Sequence, residues 1–578
     1  MTPAKPADRI IAPAENKTDK SAGKLARPSA PKPPATKPPA TKPPATKPPK
    51  VKPSATKPPA TKPPAGKPSA AKPATPQPAG AGQAQSDDRS LAILMVVSEA
   101  HPFATTGGLA EVAGALPAAL GRLGHTVTLV VPRYRGMDAG DPLPEAATFQ
   151  LGGRIERVLF HQRPLHARVT AVLVDAPELF DREGLYNSGG VDFHDNARRF
   201  AVLSRAALEY ARLRGERPSI IHAHDWQTGL VPVYQKMHFA DDPILGGVPV
   251  VFTIHNLAFQ GVFPSWTLPA IGLGWEVFTM DALEYWGQIS YLKGGINFAE
   301  RITTVSPTYA QEVLTPAMGF GLEGSLRRRA ATPGVFSGIL NGIDVGRWDP
   351  TIDSYLPAPY GAHDLAGKAR GKQLLLETVG LGSDPVTLSR PVIGIVSRLS
   401  DQKGFDLIAS AIEPLMALDA TWVMLGSGER HYEAGWRALA SHFPERVSAT
   451  IGFNERLAHL IEGGADIFLM PSRFEPCGLN QMYSLRYGTV PVVRATGGLE
   501  DTIIDVADHP DTGNGFKFRD YSPVALVSTL QRAIDTFRNP SAWKTIQLNG
   551  MKENHSWDVS AREYVKVYRQ AATRPEKG

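Results

Sequence analysis

Two apolar runs, separated by a charged loop and a helix, constrain the fold of this chain more than any other feature. The runs are Ile467–Met470 and Val490–Val493, and between them lie the loop Arg473–Cys477 and the stretch Asn480–Tyr487. Short unbroken apolar runs bounded by turn residues are typical of strands buried on both faces of a parallel sheet. The order strand, loop, helix, strand therefore predicts a βαβ unit.

The polar residues of this unit lie where its strands end. Glu475 follows the first strand, and Thr496, Gly497 and Gly498 follow the second. Open α/β sheets bind ligands at the carboxyl ends of their strands, and backbone amides at a glycine turn that opens a helix suit a phosphate. The alternative is an ordinary βαβ unit in which Glu475 is a solvated carboxylate.

The residues before this unit predict a doubly wound α/β domain, because strands alternate with helices such as Asn196–Leu213. The predicted strands are Leu91–Val97, Val127–Val131, Val169–Val174, Ser219–His222, Val250–Ile254 and Ile302–Val305. Polar clusters again follow strands, at His224–Gln227, His255–Asn256 and Ser306–Pro307. Gly107 and Gly108 precede a predicted helix at Ala110–Leu123, an arrangement that suits a phosphate or is a plain tight turn.

The later residues predict a second domain of the same kind. Its strands are Val392–Val396, Trp422–Leu425, Ser448–Ile451, Ile467–Met470 and Val490–Val493, and its helices include Phe405–Leu418 and Arg456–Gly463. Arg398 and Lys403 follow the first of these strands. Two cations on one strand-end loop are able to clamp a diphosphate, and the alternative is a solvated pair. A last helix is predicted at Trp557–Gln570.

Residues 1–88 are predicted to be a disordered Lys/Pro/Ala-rich tail. The motif KPPAT and its variants recur every five residues, and residues 1–86 hold 22 of the 52 prolines. Such a composition cannot bury a core. It favours a spacer, with a tether to an acidic partner as the sharper alternative and a plastid transit peptide as a weaker one. These 86 residues have a net charge of +13, whereas the whole chain has +6, so the remaining residues have a net charge of −7. A negatively charged folded part argues against a surface that binds nucleic acid.

Cysteine usage and hydropathy predict the compartment. Cys477 is the single cysteine, which excludes a disulfide framework and fits a reducing compartment. No apolar run approaches the ~20 residues that span a bilayer, and no secretory signal is recognisable. We therefore expect a cytoplasmic protein without a membrane partner. No HExxH or CxxC motif occurs, so we expect no metal and no cofactor.

Several motifs resemble those of bacterial glycogen synthases and plant starch synthases. They are DNARRF from Asp195, HAHDWQ from His222, SRLSDQKG from Ser397, EPCGLNQMY from Glu475 and TGGL from Thr496. That family consists of ADP-glucose-dependent retaining glucosyltransferases of the GT-B fold. The resemblance implies two Rossmann-like domains facing across a cleft, at 89–337 and 338–555, with residues 556–578 crossing back to the first domain.

The resemblance also implies site residues. It places His224 beside the reacting sugar carbon and Asp195 nearby, and it gives catalytic roles to Arg398, Lys403 and Glu475. The donor site that it implies consists of Thr105, Gly107, Gly108, Glu111, Phe453, Cys477, Gly478, Leu479, Thr496, Gly497 and Gly498. The family's first loop usually reads K-T-G-G-L-A-D. In this chain Thr105 stands for the lysine and Glu111 for the aspartate, and both departures concern donor binding.

The expected function is therefore glycogen or starch synthesis. Glucose would pass from ADP-glucose to the non-reducing end of glycogen or a maltooligosaccharide, with the front-face chemistry usually proposed for the family and with closure of the cleft to exclude water. Two alternatives stay open. One is a GT-B glucosyltransferase with another donor or acceptor, and the other is a catalytically silent glucan-binding homologue.

Overall fold

Buried apolar strands organise the structure, a computed structural model that describes residues 89–138 and 140–573. The predicted tail, residues 1–88, lies outside the described residues. In the described part of the chain the strands are β1 (Ala92–Val96), β2 (Thr126–Pro132), β3 (Asp141–Pro142), β4 (Ala147–Leu151), β5 (Arg154–His166), β6 (Val169–Asp175), β7 (Asn187–Ser188), β8 (Val191–Asp192), β9 (Ile220–His224), β10 (Val250–Ile254), β11 (Val262–Pro264), β12 (Glu284–Tyr285), β13 (Gln288–Ser290), β14 (Arg301–Thr304), β15 (Phe336–Gly338), β16 (Val392–Val396), β17 (Thr421–Gly426), β18 (Val447–Ile451), β19 (Ile467–Met470), β20 (Val490–Arg494) and β21 (Phe516–Phe518).

Helices cover both faces of the sheets that these strands form. They are α1 (Gly108–Arg122), α2 (Pro177–Phe180), α3 (Asn196–Arg214), α4 (Leu230–His238), α5 (Tyr291–Phe298), α6 (Pro307–Glu312), α7 (Glu323–Ala330), α8 (Ala366–Thr378), α9 (Pro385–Ser389), α10 (Phe405–Ser410), α11 (Ile412–Met416), α12 (Arg430–His442), α13 (Glu455–Gly464), α14 (Asn480–Arg486), α15 (Gly497–Thr502), α16 (Pro523–Phe537), α17 (Pro540–Met551) and α18 (Trp557–Ala572). Within the described ranges, no helix is both long enough and apolar enough to cross a membrane.

The strands of the first half form one large sheet. Its order is β15-β14-β10-β9-β1-β2-β6-β5-β3, with β4 paired to β5. The pairs from β15 to β6 are parallel, whereas β5 runs antiparallel to its neighbours. The strands of the second half form a parallel sheet in the order β18-β17-β16-β19-β20-β21. The predicted α/β class with two doubly wound sheets is confirmed.

The antiparallel edge of the first sheet was not predicted. Alternate residues of β4 and of the first part of β5 are buried and exposed, because one face of this hairpin packs on α3 and the other meets water. Such strands lack the continuous apolar run that marks the central strands.

One predicted helix is divided in the structure. Phe405–Leu418 was predicted as a single helix, but α10 ends at Ser410 and α11 begins at Ile412. Pro414 explains the break. In a regular helix its ring would clash with the carbonyl group of Ser410, and it has no amide hydrogen to donate to that carbonyl.

The last helix, α18, packs on the first sheet rather than on the second. Trp557 and Tyr564 lie in one apolar cluster with Leu116 of α1 and Met95 of β1. The hydroxyl of Tyr568 lies 2.8 Å from Nδ1 of His222 on β9. The domain boundaries inferred from the sequence stay a proposal. The boundary placed between residues 337 and 338 falls within β15.

Candidate active site

A cavity of about 1120 Å³ lies where the strands of the two sheets end. Residues that follow β1, β9, β10 and β14 line it from the first half, and residues that follow β16 and β19 line it from the second. Of the predicted site residues, those on its wall are Gly107, Gly108, Arg398, Lys403, Glu475, Cys477, Gly478 and Leu479. The strand-end prediction therefore identifies the location of the cavity.

The second half contributes a buried ion pair. Nζ of Lys403 lies 2.6 Å from Oε2 of Glu475, and Ser472 Oγ donates to the same oxygen at 3.0 Å. Glu475 is buried. A carboxylate out of water is stable only when it is paired and hydrogen-bonded. Lys403 and Ser472 thus hold an ionised carboxylate at the cavity wall.

Arg398 lies beside this pair and is exposed to the cavity. Its Nη2 atom contacts Oε1 of Gln402 at 3.4 Å. Both cations come from the short segment between β16 and α10, which explains why two residues five positions apart reach the same wall. An exposed guanidinium and a neighbouring ammonium are suited to a diphosphate.

The glycine loop contributes from the first half. The backbone amide and the hydroxyl of Thr106 donate to Oε2 of Glu99, at 2.6 and 2.7 Å. Glu99 follows β1 and is buried, and this burial raises its pKa to about 7. Glu99 was not among the residues predicted from the sequence, although a carboxylate close after a buried strand is a signal that could have identified it. Its side chain fixes the loop that carries the two glycines.

Neither glycine of this loop is required by the fold itself. Gly107 has extended backbone, and no side chain caps the start of α1. A Cβ atom built at Gly107 or Gly108 meets nothing within 4 Å. The open space at both positions lies on the cavity wall, beside the uncapped amides of a 15-residue helix. A helix start of this kind is suited to bind an anion.

Thr105 and Glu111 flank these glycines but do not line the cavity. Thr105 is exposed. Glu111 lies on α1, where its Oε1 is 3.2 Å from Nη1 of Arg347, and Nη2 of Arg347 lies 2.7 Å from Glu455. Arg347 thereby joins α1 of the first half to α13 of the second. Glu111 takes part in this contact between the halves.

Two of the predicted catalytic residues, His224 and Asp195, do not line the cavity. His224 is fully buried, and its Nδ1 atom lies 2.9 Å from Nε2 of His255, which does line the cavity. Burial lowers the pKa of both imidazoles, to about 3 for His255, so both rings are neutral. Nε2 of His224 is buried and has no hydrogen-bond partner among the described residues. Asp195 accepts from both terminal nitrogens of Arg182 at 2.6 Å, while its neighbour Asn196 reaches the cavity.

Asp225 belongs to the predicted strand-end cluster His224–Gln227, but no role of its own was predicted for it. Its φ of 56° is rare for a residue with a side chain, and strained backbone of this kind is concentrated at functional sites. Its Oδ1 accepts from the amide of His255 at 2.6 Å, and burial raises its pKa to about 7. Asp225 lines the cavity and fixes the backbone of the His255 loop.

The glycine turn after β20 does not face the cavity. Oε1 of Glu312 accepts from the hydroxyl of Thr496 and from the amide of Gly497, at 2.9 and 3.0 Å. A Cβ at Gly497 would lie 2.0 Å from the carbonyl oxygen of Glu475, and one at Gly498 would lie 2.1 Å from that of Cys477. Close approach to the loop that carries Glu475 is therefore what requires these glycines. The contact of Thr496, Gly497 and Gly498 with phosphate, implied by the resemblance, stays a prediction.

The remaining predicted donor residues differ in their surroundings. Cys477, Gly478 and Leu479 line the cavity at the start of α14. Burial raises the pKa of the Cys477 thiol to about 12, which keeps it neutral and unreactive. Phe453 follows β18 and is 89% exposed, away from the cavity wall. Its ring is free to stack on a planar group, and its predicted contact with the nucleotide base stays a prediction.

Comparison with known proteins gives concordant matches. A family model described as the starch synthase catalytic domain matches residues 92–328, and one described as glycosyl transferases group 1 matches residues 385–545. A glycogen synthase of Anaeromyxobacter dehalogenans is 51% identical over 486 residues, covering 83% of this chain and 99% of the relative. A glycogen synthase of Koribacter versatilis is 43% identical over 492 residues, with 83% and 98% covered.

Solved structures agree with these matches. The catalytic domain of starch synthase IV from Arabidopsis thaliana, bound to ADP and acarbose, superposes with a TM-score of 0.77 at 32% identity. The match covers 84% of this chain and 100% of that domain. A sucrose-phosphate synthase from Thermosynechococcus elongatus shares the fold, with a TM-score of 0.51 at 16% identity.

Proposed function

The chain belongs to the glycogen synthase and starch synthase family of glycosyltransferases, and from this premise we propose that it transfers glucose from ADP-glucose to the non-reducing end of an α-1,4-glucan with retention of configuration. The observation that carries the proposal is the meeting of two elements at one cavity. Arg398 and the Lys403–Glu475 pair come from one sheet, and the uncapped glycine loop comes from the other. Together they are suited to a sugar nucleotide.

The donor diphosphate would lie between these elements. Arg398 and Lys403 would offset the charge that develops on the departing diphosphate, and the amides at Gly107 and Gly108 would donate to its oxygens. Such preorganised donors act in a partly dehydrated cavity, where electrostatic stabilisation of a transition state is strongest. Gly107 and Gly108 leave space for the diphosphate, because a Cβ atom at either position would extend into the cavity.

The glucosyl group would lie beside Glu475. One carboxylate oxygen of Glu475 is engaged by Lys403 and Ser472, which leaves the other oxygen to accept from a glucose hydroxyl. On the first-half side, the neutral His255 would contact the sugar, and His224, hydrogen-bonded to it and fully buried, would act through its ring. In the transfer step the bond between C1 and the phosphate oxygen breaks, and the bond from C1 to the acceptor oxygen forms on the same face. The acceptor proton passes to the leaving phosphate.

Donor identity is tested by measuring glucose transfer to glycogen from ADP-glucose and from UDP-glucose in parallel. ADP-glucose is expected to give the larger kcat/KM, and ADP bound to the related starch synthase IV domain supports this choice. A larger kcat/KM with UDP-glucose would point to the alternative of a different donor. Absence of transfer from either donor, with glycogen binding retained, would favour the catalytically silent glucan-binding homologue.

With Cys477 as its single cysteine, the chain suits a reducing compartment, and we place the reaction in the cytoplasm.

Thr105 is expected to make donor binding weaker than a lysine would. A hydroxyl donates one hydrogen bond but does not offset phosphate charge, and a charge-assisted contact is about twice as strong as a neutral one. Thr105→Lys is therefore expected to lower the KM for ADP-glucose by about tenfold, without loss of turnover. Steady-state kinetics across a donor titration measures this. Thr105→Gln is the control for side-chain length, and an unchanged KM in the lysine variant would mean that the loop does not reach the donor.

Activity is expected to survive chelation. The sequence contains no metal-ligand spacing, and the proposed diphosphate site uses cations of the chain itself. Glucose transfer assayed before and after dialysis against EDTA should therefore differ little. Complete loss of transfer that a divalent ion restores would contradict the proposed metal-independent site.

A further inference from the structure

All three strongly exposed tryptophans of this protein lie in one short segment. Trp266 is 73% exposed, Trp275 is 56% exposed and Trp286 is 80% exposed, whereas the other six of the nine tryptophans are buried or half-buried. Exposed indoles gathered in one segment are unusual, because tryptophan is highly buried on average.

The segment is a small sheet that projects from the first half. Its strand order is β11-β13-β12. Pro264 at the end of β11 pairs with Gln288 at the start of β13, and the turn before β13 consists of Trp286 and Gly287, with φ of 52° and 78°. The turn and the residues after β11, Trp266 among them, therefore lie at the same end of this sheet. We call Trp266 and Trp286 the tryptophan face.

The other end of the same sheet is part of the cavity wall. Val262, which pairs with Ser290, lines the cavity together with Phe263 and Gln260. Nε2 of Gln260 donates to the carbonyl oxygen of Phe320 at 2.9 Å, and the hydroxyl of Tyr285, next to Trp286, donates to the same oxygen at 2.7 Å. A short, hydrogen-bonded path thus connects the tryptophan face to the wall of the proposed active site.

Resting on the proposed function, we propose that the tryptophan face binds the acceptor glucan outside the cavity and guides its non-reducing end inward. The C–H faces of a pyranose ring are apolar, and an indole covers them with a large flat surface that loses little conformational entropy. The position of the face, at the outer end of a sheet whose inner end lines the cavity, suits a chain that extends beyond the site of transfer.

The arrangement of the rings favours a glucan over a second copy of the protein. No ring contact among the described residues joins Trp266, Trp275 or Trp286 to one another, so each indole offers its own flat surface. The same segment also carries exposed polar residues, among them Glu276, Asp281 and Gln288. The core of a protein interface needs continuous apolar area and is depleted of charge.

The test compares Trp266→Ala and Trp286→Asn, singly and together, with the wild type. Asparagine is chosen at position 286 because it tolerates the positive φ of the turn. Ile155→Ala, at a side chain that is 78% exposed on β5, is the matched control. Retardation by glycogen in native gels measures binding without catalysis, and kcat/KM is measured with glycogen and with maltotriose at saturating ADP-glucose. Melting temperature and sedimentation are recorded for every variant.

The double variant is expected to lose retardation, and its ratio of kcat/KM for glycogen to that for maltotriose is expected to fall about tenfold or more. Each single variant should show part of the effect, so that a double variant that fails to fold does not decide the outcome. An unchanged ratio and unchanged retardation in folded variants would overturn the proposal. The proposal would also be overturned if the wild type sedimented as a dimer and the double variant as a monomer, because the tryptophan face would then be a contact between copies. A wild type that binds glycogen but transfers no glucose would overturn the proposed function alone.

Discussion

Replacing Arg398 by alanine is expected to lower kcat by about a hundred- to a thousandfold, because its charge acts on the departing diphosphate, where negative charge increases in the transition state. Lys403→Ala is expected to have an effect of at least the same size. The lysine variant also leaves Glu475 buried without its cation, so part of its effect will be a loss of stability. Arg398 is exposed, which makes its variant the cleaner of the two.

The measurement is steady-state turnover at saturating ADP-glucose and glycogen, with the melting temperature of each variant. Arg538→Ala and Lys544→Ala are matched controls, because both are exposed cations of the second half and neither lines the cavity. Both controls should keep wild-type turnover. Near-native kcat in folded Arg398→Ala and Lys403→Ala variants would show that the diphosphate binds elsewhere.

Gly108→Ala is expected to reduce turnover by about a hundredfold while leaving the melting temperature unchanged or slightly raised. A Cβ at this position meets no protein atom within 4 Å, and its backbone does not need glycine. Alanine also favours the helix that starts there. The methyl group would instead displace the donor phosphate, and a displacement of about 1 Å at the reacting groups costs on the order of a hundredfold in rate. The steric part of this reasoning also applies to Gly107→Ala, but Gly107 is the N-cap of α1, where alanine is less favourable than glycine, so its melting temperature is expected to fall slightly.

Gly324→Ala is the matched control, because Gly324 lies in the first turn of α7 with the same open space around its Cβ position. It should leave both stability and turnover unchanged. If Gly107→Ala and Gly108→Ala keep full activity, the glycine loop does not hold the donor. If they instead unfold the protein, the glycines serve the fold in a way that the open space around them does not indicate.

The buried parallel strands could be predicted from the sequence because their signal is local. Val250–Ile254 and Ile467–Met470 coincide with β10 and β19, and both are short runs dominated by apolar residues. The location of the cavity followed from the same signal, since polar residues after such strands meet at one edge of a sheet. Arg398, Lys403 and Glu475 were found in this way.

Tertiary contacts determine the surroundings of several predicted site residues, and local patterns do not show these contacts. The glycine turn at Gly497 resembles a phosphate-binding turn, but Glu312 of the first half occupies its amide, and no local pattern shows that contact. Glu111 meets Arg347, which lies 236 positions along the chain. His224 was identified as a polar residue after a strand, yet only the folded chain shows that His255 stands between it and the cavity wall.

The most direct test of the central claim is proton NMR of the protein mixed with ADP-glucose and maltotriose. The account predicts that the amount of ADP released equals the amount of glucose added to the acceptor, with maltotetraose as the first product. It also predicts that the new anomeric proton belongs to an α-1,4-linked glucose at the non-reducing end, as retention requires. A β-linked product, or free glucose as the only carbohydrate released from the donor, would contradict the assignment of this cavity to retaining glucan elongation.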